Sequence, residues 1–265
     1  MKRLILIVAL AAMLAACATS PTGRSQLMLV SPSQLNEMGI TAFNQMRSEG
    51  KFANAPDQRA YATCVANALI QVLPASYARQ KWDVAIINDS SANAFALPGG
   101  RIGVNLGMFK VAKTPAELAA VLGHELAHVV ANHPAERVSN ELAAQLGVAA
   151  ASSYGASKGV DPGQLQSVLG MGTQVAYLLP FSRTQESEAD VLGQRYMAQA
   201  GFDPKAAVTL WQNMERANPG GGGPSFLSTH PSPGNRIGKL AANAPALESI
   251  YRAARASGHT PHCSP

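Results

Sequence analysis

The chain lacks any unbroken apolar run of the roughly 20 residues that a membrane-spanning helix requires. Its longest such run stands at the N-terminus behind Lys2 and Arg3, with Leu4 to Leu14 as its apolar core. A run this short reads as the core of an export signal, not as a spanning helix. The Ala- and Gly-rich stretch from Glu141 to Tyr154 is interrupted by Gln145, Ser152 and Ser153, so it reads as a packed helix. No basic cluster lies behind the net charge of +5, and two of those charges belong to Lys2 and Arg3. Nucleic acid is therefore not an expected partner. No self-similarity at the roughly 30- to 45-residue periods of helical repeats is present, which excludes a repeat-type binding module. Gly220 to Gly223 have no Lys-Ser/Thr after them, which excludes a phosphate-binding loop and leaves a surface loop.

Cysteine is scarce, with three in 265 residues. The first is informative. Leu14-Ala15-Ala16-Cys17 has the form of a lipobox. Cleavage before Cys17 would leave that residue lipidated, and several acyl chains anchor far more firmly than one. Residue 18 is Ala and not the Asp that retains bacterial lipoproteins at the inner membrane. The outer membrane, on its periplasmic face, is the expected address. The expected division is a signal over 1–16, a lipidated N-terminus and tether over 17–32, and a catalytic domain over 33–265. The other two cysteines, Cys64 and Cys263, leave two readings open. In an oxidising compartment they can form one disulfide tying the tail to an early helix. Alternatively, Cys64 is a buried free thiol and Cys263 an exposed one.

The chemistry is carried by His124-Glu125-Leu126-Ala127-His128. On a helix, residues four apart share a face, so two imidazoles can grip one Zn²⁺. Glu125 is offset beside them, where a carboxylate can take a proton from a water on the metal. Thr114-Pro115-Ala116-Glu117 reads as a capping box with proline at the first helical position. Leu118, Val121, Leu122, Leu126 and Val129 form a buried stripe. Pro134 limits the helix to about Asn132. Imidazoles and a carboxylate inside an apolar helix are costly without partners, and a metal supplies them.

A catalytic zinc has three protein ligands and one open position. The longer pattern H-E-x-x-H-x-x-G-x-x-H fails, because Ala131 and Pro134 stand at its Gly and His positions. His133 falls one residue short, and helical phase points it elsewhere. A glutamate is the better third ligand. Ser182-Arg183-Thr184-Gln185 opens a helix carrying Glu186, Glu188 and Asp190, and Gly201 closes it. Glu186 and Asp190 share a face, which suits a ligand and a carboxylate that orients a zinc histidine. Glu188 points roughly 160° away from Glu186 and is the weaker candidate.

These stretches resemble the M48 family of zinc metallopeptidases, the Ste24-type and HtpX-type proteases. The similarity extends to Asn93-Ala94-Phe95-Ala96-Leu97-Pro98-Gly99-Gly100, to Tyr196 to Pro204, to Ser228-Thr229-His230-Pro231 and to Arg236-Ile237. It is strongest with soluble, lipid-anchored periplasmic members. The resemblance implies His124, His128 and Glu186 as ligands of a single zinc ion. It also implies Glu125 as catalytic base and Asp190 as a supporting or proton-donating carboxylate. His230 corresponds to a histidine that either caps the metal at rest or stabilises the transition state.

The expected fold is α+β and mostly helical, a zincin-type protease with a small sheet beside the active-site helix. Helices are expected at Ser33 to Ser48, Asp57 to Leu73, Gln164 to Leu179 and Asn235 to Ala256, besides those already placed. Strands are expected at Trp82 to Ile87, Asn93 to Leu97 and Arg101 to Asn105. An edge strand can take an extended peptide as one more strand. That makes Asn93, Ala94, Phe95 and Ala96 candidate substrate-binding residues, with Arg236 added from the resemblance. Leu178 to Phe181 is a further candidate for the cleft. The expected activity is zinc-dependent endoproteolysis of misfolded or stalled envelope proteins. The alternative is a chaperone-like assembly lipoprotein with a vestigial metal site, which an intact Glu125 argues against. A zinc aminopeptidase would need an acidic pocket for a free amine, and none is legible.

Overall fold

The computed structural model describes residues 17–154, 181–217, 226–231 and 235–264. The expected signal over 1–16, the helix at Gln164 to Leu179 and the glycine loop at Gly220 to Gly223 lie outside the described residues. The N-terminal strands are β1 (Cys17–Thr19) and β2 (Ser25–Leu27). Then come α1 (Pro32–Ser48), α2 (Pro56–Ile70), the single turn α3 (Ala75–Ala78), β3 (Asp83–Ile87), β4 (Ala94–Leu97) and β5 (Arg101–Asn105). After a 3₁₀ turn come α4 (Pro115–Val130) and α5 (His133–Tyr154). The last are α6 (Arg183–Gln199), α7 (Ala206–Ala217), the short α8 (Phe226–Thr229) and α9 (Arg236–Ala256). Among the described residues no helix is long and apolar enough to cross a membrane.

The sheet has the order β3-β5-β4. β3 runs parallel to β5, with Asp83 opposite Arg101, and β4 runs antiparallel to β5, with Ala94 opposite Val104. β4 is therefore an edge strand, and it lies against α4. α4 starts where the sequence places its start. Thr114 Oγ1 accepts the Glu117 amide, and the Glu117 carboxylate accepts the Thr114 amide in return. Fourteen residues of α4, from Glu117 to Val130, are buried, because α2, α6, α7 and β4 all pack around it. It is the central helix of the core.

α6 crosses α4 where two glycines meet. A Cβ on Gly193 would sit 2.9 Å from the His124 amide nitrogen and 3.0 Å from the Gly123 carbonyl carbon. Side chains there would hold the helices apart. The glycines let backbone meet backbone, and this brings the first turns of α6 within reach of the two histidines.

Three expectations change in detail. The helix expected from Glu141 begins eight residues earlier, at His133. Asn132 takes a left-handed conformation (φ 56°) that breaks from α4, and Pro134 then suits a first helical turn. The N-terminal segment is not a free tether from residue 20 onward. Ser20 and Gln26 are buried, and Arg24 pairs with Glu136 and Glu188. The two readings of the cysteines resolve in favour of a Cys64–Cys263 disulfide. It joins residues 199 positions apart and fixes the C-terminal tail to α2. Replacing both cysteines with serine is expected to lower unfolding stability by about 2–5 kcal/mol. Urea unfolding of the zinc-loaded protein under oxidising conditions measures this.

Candidate active site

α4 presents His124, Glu125 and His128, all buried. The Nε2 atoms of the two histidines face each other at 3.0 Å. α6 delivers Glu186 from its first turn, fixed by the Ser182–Gln185 capping box. Its carboxylate lies 3.5 Å from His124 Nε2 and 3.3 Å from His128 Nε2. His230, just beyond α8, completes the group. One ligand atom from each of His124, His128, Glu186 and His230 lies within 4.8 Å of the others.

The donor set fits a metal. Two ring nitrogens converge at 3.0 Å, close enough to share one ion. Buried Glu186 Oε1, Glu125 Oε1 and His230 Nε2 have no hydrogen-bond partner among the described residues, a costly arrangement that a cation would relieve. Three histidine nitrogens and one carboxylate are a zinc-type set. Burial disfavours charge on His124, but hydrogen bonds to Asp190 and Glu186 outweigh it and push the ring up to about 9. Burial holds His128 well below the ordinary histidine range, and pushes His230 down to about 3. Burial opposes charge on Glu186, but the nearness of His124 and His128 holds it well below the usual carboxylate range. Burial pushes Glu125 up to about 8.

The remaining residues hold these in place. Asp190 Oδ1 lies 3.0 Å from His124 Nδ1, the orienting contact expected of a carboxylate one turn beyond Glu186. Arg236 reaches both carboxylates, with Nε 2.7 Å from Asp190 Oδ2 and Nη2 bonded to Glu186. Its guanidinium lies over the Trp211 ring at 3.8 Å. Arg236 is thus first a clamp on the site carboxylates, and only Nη1 is without a hydrogen bond among the described residues. His230 is stacked on Phe226 at 3.9 Å, and its Nδ1 lies 2.9 Å from Thr229 Oγ1 and 3.2 Å from the Phe226 carbonyl. Those acceptors place the His230 proton on Nδ1. The lone pair is left on Nε2, 3.3 Å from Glu125 Oε1.

A cleft of about 550 Å³ opens over Glu125 and His230. Its walls are β4 with its flanking residues Asn93 and Pro98, the face of α1 with Leu35, Met38 and Ala42, and Phe181 with Arg137. The four edge-strand candidates, Asn93 to Ala96, all line it. The Ala96 backbone also hydrogen-bonds the Glu125 carboxylate, which couples the strand to the base. Phe181 stacks on the His128 ring at 3.8 Å, and Arg137 sits 4.0 Å over Phe181.

A family model described as peptidase family M48 matches residues 56–244, well over half of the chain. The chain belongs to peptidase family M48. Among its relatives are the mitochondrial metalloendopeptidase OMA1 of Schizosaccharomyces pombe and that of Bos taurus. The first is 39% identical over 77% of this chain and 59% of its own length. The second is 32% identical over 83% of this chain and 44% of its own length. The beta-barrel assembly-enhancing protease of Escherichia coli is 26% identical over 81% of this chain and 45% of its own length. The M48 chain thus spans about half the length of these relatives. The metal reading of the H-E-x-x-H helix agrees with their being named metalloendopeptidases and a protease.

The contacts of three groups around the metal site, His133, Glu188 and Arg24, escape sequence reasoning. His133 is not a ligand, as helical phase indicates, yet it is part of the centre. Its Nδ1 faces His128 Nδ1 at 2.9 Å. Glu188, correctly pointing away from Glu186, lies 3.1 Å from His133 Nε2. The only signal for these is a histidine five residues after His128 and a second acid in the ligand helix. Arg24, more than a hundred residues away in sequence, gives none.

Proposed function

We propose that this chain is a zinc-dependent metalloendopeptidase of the M48 family. The observation that carries this is the position of Glu125. It sits at the floor of the cleft, beside the edge strand and against a buried His-His-Glu-His group. His124, His128 and Glu186 would hold the zinc. When bound, the zinc supplies Lewis acidity at the scissile carbonyl and a more acidic water. Glu125 is placed to accept a proton from the attacking water and deliver it to the leaving amine. β4, an edge strand along the cleft, is placed to pair with an extended peptide, so recognition is through main-chain bonds. Arg236, named for substrate binding from the family resemblance, is buried and outside the cleft lining, and its support here is the clamp on Glu186 and Asp190. Casein cleavage that is lost with a chelator and restored by zinc tests the activity. Chelator-insensitive or absent cleavage by the metal-loaded protein would reject it.

Within that reading, His230 caps the metal at rest. Its neutral ring directs an Nε2 lone pair toward the ligand group, whereas an oxyanion donor would need its proton there. His230→Ala is expected to raise basal peptide cleavage. Initial rates at equal zinc occupancy decide, and a loss of about 10²–10³ would assign it to the transition state instead.

The proposed address is the periplasmic face of the outer membrane, through lipid on Cys17, with misfolded envelope proteins as substrates. The Leu14-Ala15-Ala16-Cys17 sequence and Ala18 support the anchor, and the Cys64–Cys263 disulfide suits an oxidising compartment. The Escherichia coli relative's name supports an envelope role. Cys17→Ala should abolish labelling by a radioactive fatty acid, and persistent labelling would sink the anchor.

A further inference from the structure

In the zinc-peptidase reading, on which this inference rests, His128 binds metal through Nε2. The proton of its neutral ring is then on Nδ1. His133 Nδ1 lies 2.9 Å away and must accept that proton's hydrogen bond. This fixes the His133 proton on Nε2, 3.1 Å from Glu188 Oε2, where it is donated. Glu188 accepts in turn from Thr22 Oγ1 at 2.7 Å and from Arg24 Nε at 3.1 Å. Arg24 Nη2 also donates to Glu136 at 2.7 Å, and Glu136 accepts from Gln185 Nε2 at 2.8 Å. Every donor in this series meets an acceptor, and no tautomer has to be forced. His133 is fully enclosed, and Glu188 is buried.

We propose that His133, Glu188 and Arg24 form a positioning arm that fixes the His128 ring for the metal. Residues 20–27 then act as a working part of the metal centre, supplied by the segment just after Cys17. The arm is the counterpart, on His128, of the contact that Asp190 makes with His124. It is longer by one imidazole because α5 intervenes between His128 and the nearest carboxylate of the arm.

The test is zinc affinity of the full chain, measured by competition with a fluorescent chelator, beside the melting temperature of the metal-stripped protein. Removing such an outer partner weakens metal binding by about 10–100-fold. His133→Leu and Glu188→Gln are expected to fall in that range, with Arg24→Ala changing affinity in the same direction. His133→Asn places Oδ1 near the Nδ1 position and should recover most of the affinity lost in His133→Leu. A merely structural role would lower the melting temperature of the stripped protein and leave zinc affinity unchanged. That result in His133→Leu and Glu188→Gln would overturn the arm, and Arg24→Ala, at a part-exposed side chain, repeats the test where a buried substitution prevents folding. Failure of the unaltered chain to bind zinc would overturn the metal site itself, and the arm with it.

Discussion

Glu125→Gln is expected to reduce peptide hydrolysis by about 10²–10⁴-fold while leaving zinc bound. The substitution keeps the size and the polar surface of the side chain but removes its ability to accept a proton. None of the ligand contacts passes through it. His124, His128 and Glu186 meet one another directly at 3.0–3.5 Å. Initial rates on a quenched-fluorescence peptide, with zinc content measured on the same sample, give both numbers. Turnover near that of the unaltered protein would remove Glu125 from the mechanism.

Glu186→Gln is expected to cost more than activity. It removes a ligand and also the anionic partner of Arg236, leaving that guanidinium paired through Asp190 alone. Zinc affinity should fall beyond the roughly 100-fold upper range of an outer-partner loss, and turnover should fall with it. Excess zinc should not restore full rate. Glu188→Gln, acting through His133, should instead be rescued by added zinc. The comparison discriminates the two acids, because both lie on α6 and both are buried. A larger loss in Glu188→Gln than in Glu186→Gln would reverse the assignment.

The parts of the site legible in sequence are those set by local geometry. The four-residue step from His124 to His128, and again from Glu186 to Asp190, is a helical period, so each pair can be placed on one face without knowing the fold. The capping boxes at Thr114 and Ser182 set the phase of both helices, and the structure has both. The strands around Pro98-Gly99-Gly100 are legible for the same reason, since the turn and the strand runs beside it are local. Parallel pairing of β3 with β5 is not, because it depends on how distant segments meet. Arg24 is invisible for that reason too, and so is the packing of an N-terminal segment whose polar, proline-containing composition suggests a free tether. His133 is a subtler case. Helical phase rightly denies it the metal, but cannot show that α5 turns its ring back toward His128.

The meeting of Gly123 with Gly193 has a consequence for anyone wishing to transplant this centre into another scaffold. Grafting His124, Glu125, His128 and Glu186 onto two helices at an ordinary spacing of about 8–10 Å would copy the chemistry without its dimensions. With a Cβ on Gly193 as close as 2.9 Å to the opposing main chain, the gap between the helices is itself part of the recipe. The minimal portable unit is therefore two helices with a notch in each, and the ligands are the smaller share of what must be carried across.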